Sequence, residues 1–351
     1  MPVEKRLKNS SPDSLPVISY IATGGTIAMQ RSENGDGPVP AIQGQDLVSR
    51  ASGLSQYATL EIENFSNKPS AHFQPSDWIA LQRHICDVLA REDIAGAIIS
   101  HGTDTMEETG FFLDLTINSS KPVILFGAQR SDSDEGSDGL DNMLDALRVA
   151  ISEDARDRGV MIVMNHQISA ARDVSKTHTT AINSFQSGDN GFLGSVDGDQ
   201  VLFSRKPTGR QHIPLSADKP FDYQLCRVDI VSAYVGADDL LIKAAIAAGA
   251  KGIVVQGLGA GNVNLSLLEG IRQAIKAGIK VVIASRVPNG AVQPVYGYPG
   301  GGQSLAKIGA LFAGDLSPQK ARILLMLALQ EGLDGQADNH KIENSLKQIF
   351  Q

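Results

Sequence analysis

A few short stretches of this chain carry the residue types that bond-making chemistry needs. Thr23-Gly24-Gly25-Thr26-Ile27-Ala28 sets two hydroxyls around a glycine pair. Paired glycines let a backbone turn sharply or approach a ligand closely. The plainer alternative is a turn whose hydroxyls bond their own backbone. The stretch lacks both the Lys-Ser/Thr ending of a phosphate loop and the Gly-x-Gly-x-x-Gly spacing of a dinucleotide turn. His101-Gly102-Thr103-Asp104-Thr105 leads into a helical pattern. Asp104 or Thr105 can cap that helix, with Glu107 or Glu108 answering in a capping box. The same order also sets a hydroxyl beside helix N-terminal amides, which favour a carboxylate or a developing oxyanion. In Arg172-Asp173-Val174-Ser175-Lys176-Thr177 the lysine is either a surface charge or, if buried beside a hydroxyl, a base. Gly127-Ala128-Gln129-Arg130 runs into an acidic, glycine-rich stretch ending at Gly139, which reads as a solvated connection. Taken together, the pieces suggest a threonine nucleophile with a lysine-type base, since a threonine hydroxyl needs a neighbour to take its proton.

Such groups must be held by a scaffold, and the surrounding pattern is that of an α/β protein with a largely parallel sheet. Val17–Ala22, Ala95–Ser100, Pro122–Gly127 and Val160–Asn165 read as strands, and Trp78–Ala90, Met106–Ile117 and Leu140–Ile151 as helices. The two threonine loops follow strands, where open α/β sheets bind ligands. Arg205 to Tyr223 holds three prolines and no apolar periodicity, so it reads as a connector. Beyond it, strands at Val228–Ser232, Gly252–Gln256 and Lys280–Ala284 alternate with helices at Leu240–Ala248, Leu265–Ala277 and Pro318–Gln330. Ser317 is a good cap and Pro318 suits the first helical position. The expected division is a tail at 1–15, an N-terminal domain at 16–208, a linker at 209–227 and a smaller C-terminal domain at 228–351, flavodoxin-like or Rossmann-like.

The chain has 351 residues, long enough for two domains. Its net charge of -8 argues against a nucleic-acid binder, which usually presents a basic face. No apolar run approaches the ~18–20 residues of a membrane span. Cys86 and Cys226 are far apart, which disfavours a disulfide framework or a cysteine metal site. Lys5, Arg6 and Lys8 precede a polar, proline-broken stretch rather than a secretory core, so the protein reads as cytoplasmic.

The residues Ile21 to Ala28 and Gly96 to Met106 resemble, in order and separation, the two active-site signatures of the bacterial-type L-asparaginase family. The likeness continues through Lys121-Pro122, Arg172 to Lys176, Ser285-Arg286-Val287-Pro288 and Ala321-Arg322. The resemblance implies hydrolysis of L-asparagine to L-aspartate and ammonia, with no cofactor and no metal. By the same resemblance Thr26 is the primary nucleophile, which forms an acyl-enzyme. Thr103 and Lys176 form a second pair completed by Asp104. Asp104 and Ser70 match residues that hold the substrate's ammonium and carboxylate, and the Thr103 amide serves the oxyanion. The family is usually a homotetramer of paired dimers whose sites are completed by a neighbour, and Asn262 resembles such a contribution.

This sequence departs from the family pattern in several places. The lid stretch Met29 to Gln56 has no tyrosine, although Gly35, Gly37, Pro38 and Pro40 look like a hinged loop. Arg286 to Ser304 has no acid where secreted members supply a glutamate, which would leave the ammonium to Asp104, with Tyr296 or Tyr298 as candidate helpers. Ala71 follows Ser70 where a glutamine is common, and Ser119-Ser120 stand where the secreted members' disulfide cysteine is expected. L-Glutamine is a candidate second substrate, because a single methylene is worth only ~1–3 kcal/mol of discrimination. Three other readings stand beside this one: an ammonia-releasing subunit for a tRNA amidotransferase, a dinucleotide-dependent enzyme, and a non-catalytic amino-acid sensor that retains the fold. Cofactor absorbance would favour the second, and ligand-dependent stabilisation without ammonia release the third.

Overall fold

The structure is a computed structural model describing residues 15–31, 38–40, 42–51, 53–215, 223–334, 344 and 346–350. The expected tail apart from Leu15, residues 216–222 of the expected linker, and Gly35 and Gly37 of the hinged loop lie outside the described residues. Pro38–Pro40 forms a short strand pairing antiparallel with Met29–Arg31.

Val17–Ala22, Ile94–Ser100, Val123–Phe126 and Val160–Met164 are near-continuous apolar runs, almost wholly buried. That is the signature of parallel strands covered on both faces. They form the centre of an eight-stranded sheet, neighbour to neighbour in that order. Thr59–Asn64 adds a parallel edge beside Val17–Ala22, and Gln167–Ala170, Gly194–Asp197 and Gln200–Phe203 add an antiparallel edge at the other end. These four strands were not expected from the sequence: three of them are half-exposed, and runs of only four to six residues carry a weak alternation. Helix Pro75–Ala90 starts at a proline inside a Gln74–Asp77 capping box, three residues earlier than its apolar face suggests.

The chain leaves Val17–Ala22 toward Thr59–Asn64 on one side and leaves Ile94–Ser100 toward Val123–Phe126 on the other. Strand order therefore reverses between these two adjacent parallel strands, which opens a crevice beyond their carboxyl ends.

The smaller sheet is parallel, with Val228–Ser232, Gly252–Gly257, Lys280–Ser285 and Leu311–Phe312 in chain order. It has the layers expected of a flavodoxin-like or Rossmann-like domain but no reversal of strand order. Leu240–Ala247 and Leu265–Lys276 cover one face, through Ile253, Val255, Val281 and Ile283. Helix Pro318–Asp334 covers the other through Val254 and Val282, and also packs against helix Met106–Thr116 of the larger unit. One apolar core thus runs through both units, joining Phe111 and Phe112 to Leu324 and Leu327. Cys86 and Cys226 are both half-buried and are not joined to each other by a disulfide. Among the described residues no helix is long and apolar enough to cross a membrane, and no group of three or more His, Cys, Asp or Glu is arranged to hold a metal ion.

Candidate active site

Both threonine loops emerge into the crevice at the reversal. Thr23 serves the scaffold: it is buried, and its N and Oγ1 both donate to Ser100 O, at 3.1 and 2.8 Å. Thr26 instead opens a one-turn helix, Thr26–Ala28, and is half-buried. The turn depends on glycine, since Gly24 and Gly25 sit at φ 106° and 90°. A Cβ on Gly25 would overlap the backbone of Gly102, so the two loops meet main chain to main chain. Gly102 in turn lies against Ser70, whose Oγ would stand 2.7 Å from a Cβ there. Ser70 is buried at the head of the turn Ser70–His72, and Thr105 Oγ1 donates to its carbonyl at 2.9 Å.

Lys176 lies on the two-residue strand Ser175–Lys176, which pairs with Phe185–Gln186. Its Nζ donates to Thr103 Oγ1 at 2.9 Å and to Asp104 Oδ1 at 2.7 Å. The Lys176 side chain is 14% exposed and that of Asp104 is 69% exposed. An amine, a hydroxyl and a carboxylate therefore meet at one point, with the carboxylate facing solvent. The capping expectation is corrected here. Thr105 is the N-cap of helix Met106–Thr116 but makes no side-chain cap bond. Asp104 turns to Lys176, and Glu107 accepts from the Lys176 backbone N at 3.1 Å. Ion pairing and the neighbouring loop outcompete a local cap because these groups converge in space.

The stretch ending at Gly139 is also more than a solvated connection. Asp138 accepts from the backbone N of Gln129 and of Arg130, both at 3.0 Å, and Asn142 Nδ2 donates to Gly127 O at 3.0 Å. These bonds fix the third strand-end loop, and Gln129 Nε2 reaches Ser184 Oγ at 2.7 Å beside the Lys176 hairpin.

His101 proves to be a strut under the site. It is fully buried, with its ring 4.6 Å from that of Phe73. Trp78 Nε1 donates to Thr109 Oγ1 at 2.9 Å, leaving that hydroxyl's proton for His101 Nε2 at 3.0 Å. Nδ1–H then donates to Gly102 O at 2.8 Å, which fixes a neutral tautomer. Burial drives the imidazole down to about 4. Its folded value lies below the ~6.5 of an unfolded chain, so the unfolded chain binds the extra proton between those limits. Stability is therefore full above about pH 6.5 and falls as pH drops toward 4, by roughly 3 kcal/mol from this group. Melting curves between pH 7 and 4 should show a steeper loss in the parent than in His101→Gln; parallel curves would remove this assignment.

Asn262 stands apart from this cluster. It follows strand Gly252–Gly257 in the smaller unit, where its backbone N and O exchange bonds with Leu258, both at 2.8 Å. Its Oδ1 is buried with no hydrogen-bond partner. Tyr296 and Tyr298 are exposed on the smaller unit, in ring contact with each other. The first tyrosine after the lid stretch, Tyr57, donates to Asp199 at 2.8 Å. Arg286 and Asn289 line, with Lys176, Glu107 and Gln186, a cavity of about 600 Å³. Sequence reasoning gave Glu107 only a capping role and passed over Lys320 altogether. Lys320 could have been noticed, since it falls three, four and seven residues before Ile323, Leu324 and Leu327, on the apolar face of its helix.

Fold and site together define a two-domain α/β protein with hydrolase equipment at the switch point of its larger sheet. The chain matches the family model for the asparaginase N-terminal domain over residues 17–209 and that for the glutaminase/asparaginase C-terminal domain over 227–340. It belongs to the asparaginase family. It is 37% identical over 329 residues to L-asparaginase 2 of Escherichia coli (strain K12), covering 92% of this chain and 91% of that protein. It is 35% identical over 334 residues to L-asparaginase 2 of Bacillus subtilis (strain 168), with 93% and 86% covered. The crystal structure of a probable cytoplasmic L-asparaginase from Campylobacter jejuni superposes with a TM-score of 0.82 at 35% identity, covering 94% of this chain and 99% of that one.

Proposed function

We propose that the chain hydrolyses L-asparagine to L-aspartate and ammonia through an ester on Thr26, without a cofactor. Thr26 Oγ1 attacks the side-chain carbonyl carbon, the C–N bond breaks, and the departing amine takes a proton to leave as ammonia. Water then attacks the ester, and aspartate departs as Thr26 recovers its proton. Thr103 and Lys176 move the proton, and the Thr103 amide serves the oxyanion. Asp104 receives the substrate's ammonium and Ser70 its carboxylate. The observation that carries the reading is the Lys176 amine held between Thr103 and Asp104, beside the loop that bears Thr26. An ammonium arriving at Asp104 competes with Lys176 for that carboxylate, and Lys176 takes a proton from Thr103 only after giving up one of its own, for which Asp104 is the acceptor in contact.

The domains are taken as 16–208 and 228–351, joined by 209–227, and the assembly as a homotetramer built from paired dimers. One feature supports completion of each site by a neighbour: Asp104 is too exposed to bind an ammonium strongly on its own. The name of the Campylobacter jejuni relative supports a cytoplasmic location. The test is ammonia release from L-Asn, L-Gln, D-Asn and small amides by the parent and Thr26→Ala side by side. Release from L-Asn by the parent alone is expected, with L-Gln as a slower second substrate. Stabilisation by L-Asn without ammonia would instead mark an amino-acid sensor.

A further inference from the structure

Lys320 reaches the site from the smaller domain. It lies on the apolar face of helix Pro318–Asp334 and is 2% exposed. A buried ammonium is tolerated only when its protons find good acceptors. Here Nζ donates to the backbone carbonyls of Arg172 at 2.8 Å and Val174 at 2.5 Å. Those carbonyls belong to the segment that passes directly into Ser175–Lys176. The same amine stands 5.8 Å from the centre of the Phe111 ring, on helix Met106–Thr116, which follows directly from Thr103 and Asp104. Burial pulls Lys320 down to about 8, opposed by the charges of Glu107, Asp173 and Asp114. The segment has a second, more exposed tie to the smaller domain, the bidentate Arg172–Asp315 pair at 2.9 and 2.7 Å.

We propose that Lys320 is a positioning residue for Lys176: by gripping the carbonyls of Arg172 and Val174 it sets the reach of the Lys176 amine to Thr103 and Asp104. Seating of the C-terminal domain thereby becomes a condition of proton transfer in the N-terminal one. The inference rests on Lys176 acting in the proposed reaction, so Lys176→Met is measured alongside. If Lys176→Met keeps its turnover, the reading of Lys176 fails, whatever Lys320 does.

The experiment compares Lys320→Met, Lys320→Gln, Lys320→Arg and Asp315→Asn in the full-length protein. Steady-state ammonia release from L-asparagine is read with amide hydrogen exchange across residues 172–177. Methionine keeps the length of the side chain and loses its donors. A displacement of about 1 Å at a reacting group can cost roughly 100-fold. Lys320→Met should therefore lower kcat by about 10- to 100-fold per folded molecule, leave KM within about threefold, and speed exchange at Val174–Lys176. Lys320→Arg, or Lys320→Gln with its single amide, should recover part of the rate. Asp315→Asn breaks only the outer tie and should lower the melting temperature with kcat nearly unchanged. Should Lys320→Met fail to fold, the split between kcat and KM in Lys320→Gln decides the matter. Parental kcat and parental exchange in the folded Lys320 variants, with Lys176→Met inactive, would overturn the proposal alone. So would an equal loss in Asp315→Asn, which would point to general loosening of the domain contact.

Discussion

Thr26→Ala is expected to lower kcat for L-asparagine by at least about a thousandfold, the scale on which loss of a nucleophile acts, while the melting temperature barely moves. The second half of that expectation comes from packing. Thr26 is half-buried on a one-turn helix whose shape is set by Gly25 and by Ala28 N donating to Gly25 O at 2.9 Å. Removing the hydroxyl leaves those determinants in place, and substitutions of that kind usually cost no more than about 0.5 kcal/mol. The contrast with Thr23 is instructive. Its hydroxyl is buried on Ser100 O, so its removal should cost stability first. The direct check on Thr26 is mass spectrometry of a slow variant or a poor substrate quenched in acid. The acyl mass should map to the peptide at Thr26, and a label on Thr103 would exchange the roles of the two hydroxyls.

Lys176→Met should be nearly as severe, with a loss of about 10²–10⁴ in kcat, the range for a positioned proton-transfer group. Methionine preserves the stem, so the fold should survive. Asp104 loses its partner, but it faces water and remains solvated, and an ion pair with so exposed a member contributes little to stability. Thr103 is the more sensitive neighbour. It is buried and loses the donor that orients its hydroxyl. The expected pattern is therefore low turnover with KM little changed or lowered, because Asp104 becomes free for the substrate's ammonium. Ammonia release under saturating L-asparagine measures the first, and the concentration dependence the second. A near-parental kcat would remove the amine from the reaction.

The departures from the family pattern look different once the fold is in view. No tyrosine of the described residues in the larger domain is free to stand in for a lid tyrosine. Tyr57 is bonded to Asp199, and Tyr20 donates to Ser100 Oγ at 3.1 Å while its burial pushes the phenol up to about 12. The amine of Lys176 is the group in contact with a site hydroxyl, so the proton chemistry proposed here runs through Thr103. In the proposed reaction, the absence of an acid between Arg286 and Ser304 leaves ammonium recognition to Asp104.

Much of the scaffold was legible in the sequence because it is encoded locally. Val17–Ala22 matches the structure end to end, since a strand covered on both faces is apolar almost throughout, and so does the edge strand Val228–Ser232, whose Val228, Ile230 and Val231 still stand out among polar neighbours. The edge strand Thr59–Asn64 escaped because a neighbour on one side only asks less of the side chains, and Gln167–Ala170, paired on both sides, escaped because four residues are too few to show a pattern. The letters of the site, Thr26, Thr103 and Lys176, could also be picked out, as loops that follow strands. What they do to one another could not. Asp104 had a sound local use as a helix cap, and only the packed chain turns it to an amine 72 positions away. Lys320 falls on the apolar face of its helix pattern, but nothing local names its partners, two carbonyls 146 and 148 residues distant. Apolar periodicity and turn chemistry are properties of neighbours along the chain. A hydrogen-bonded cluster depends on strand order and on how the domains meet, and those are decided by the whole core at once.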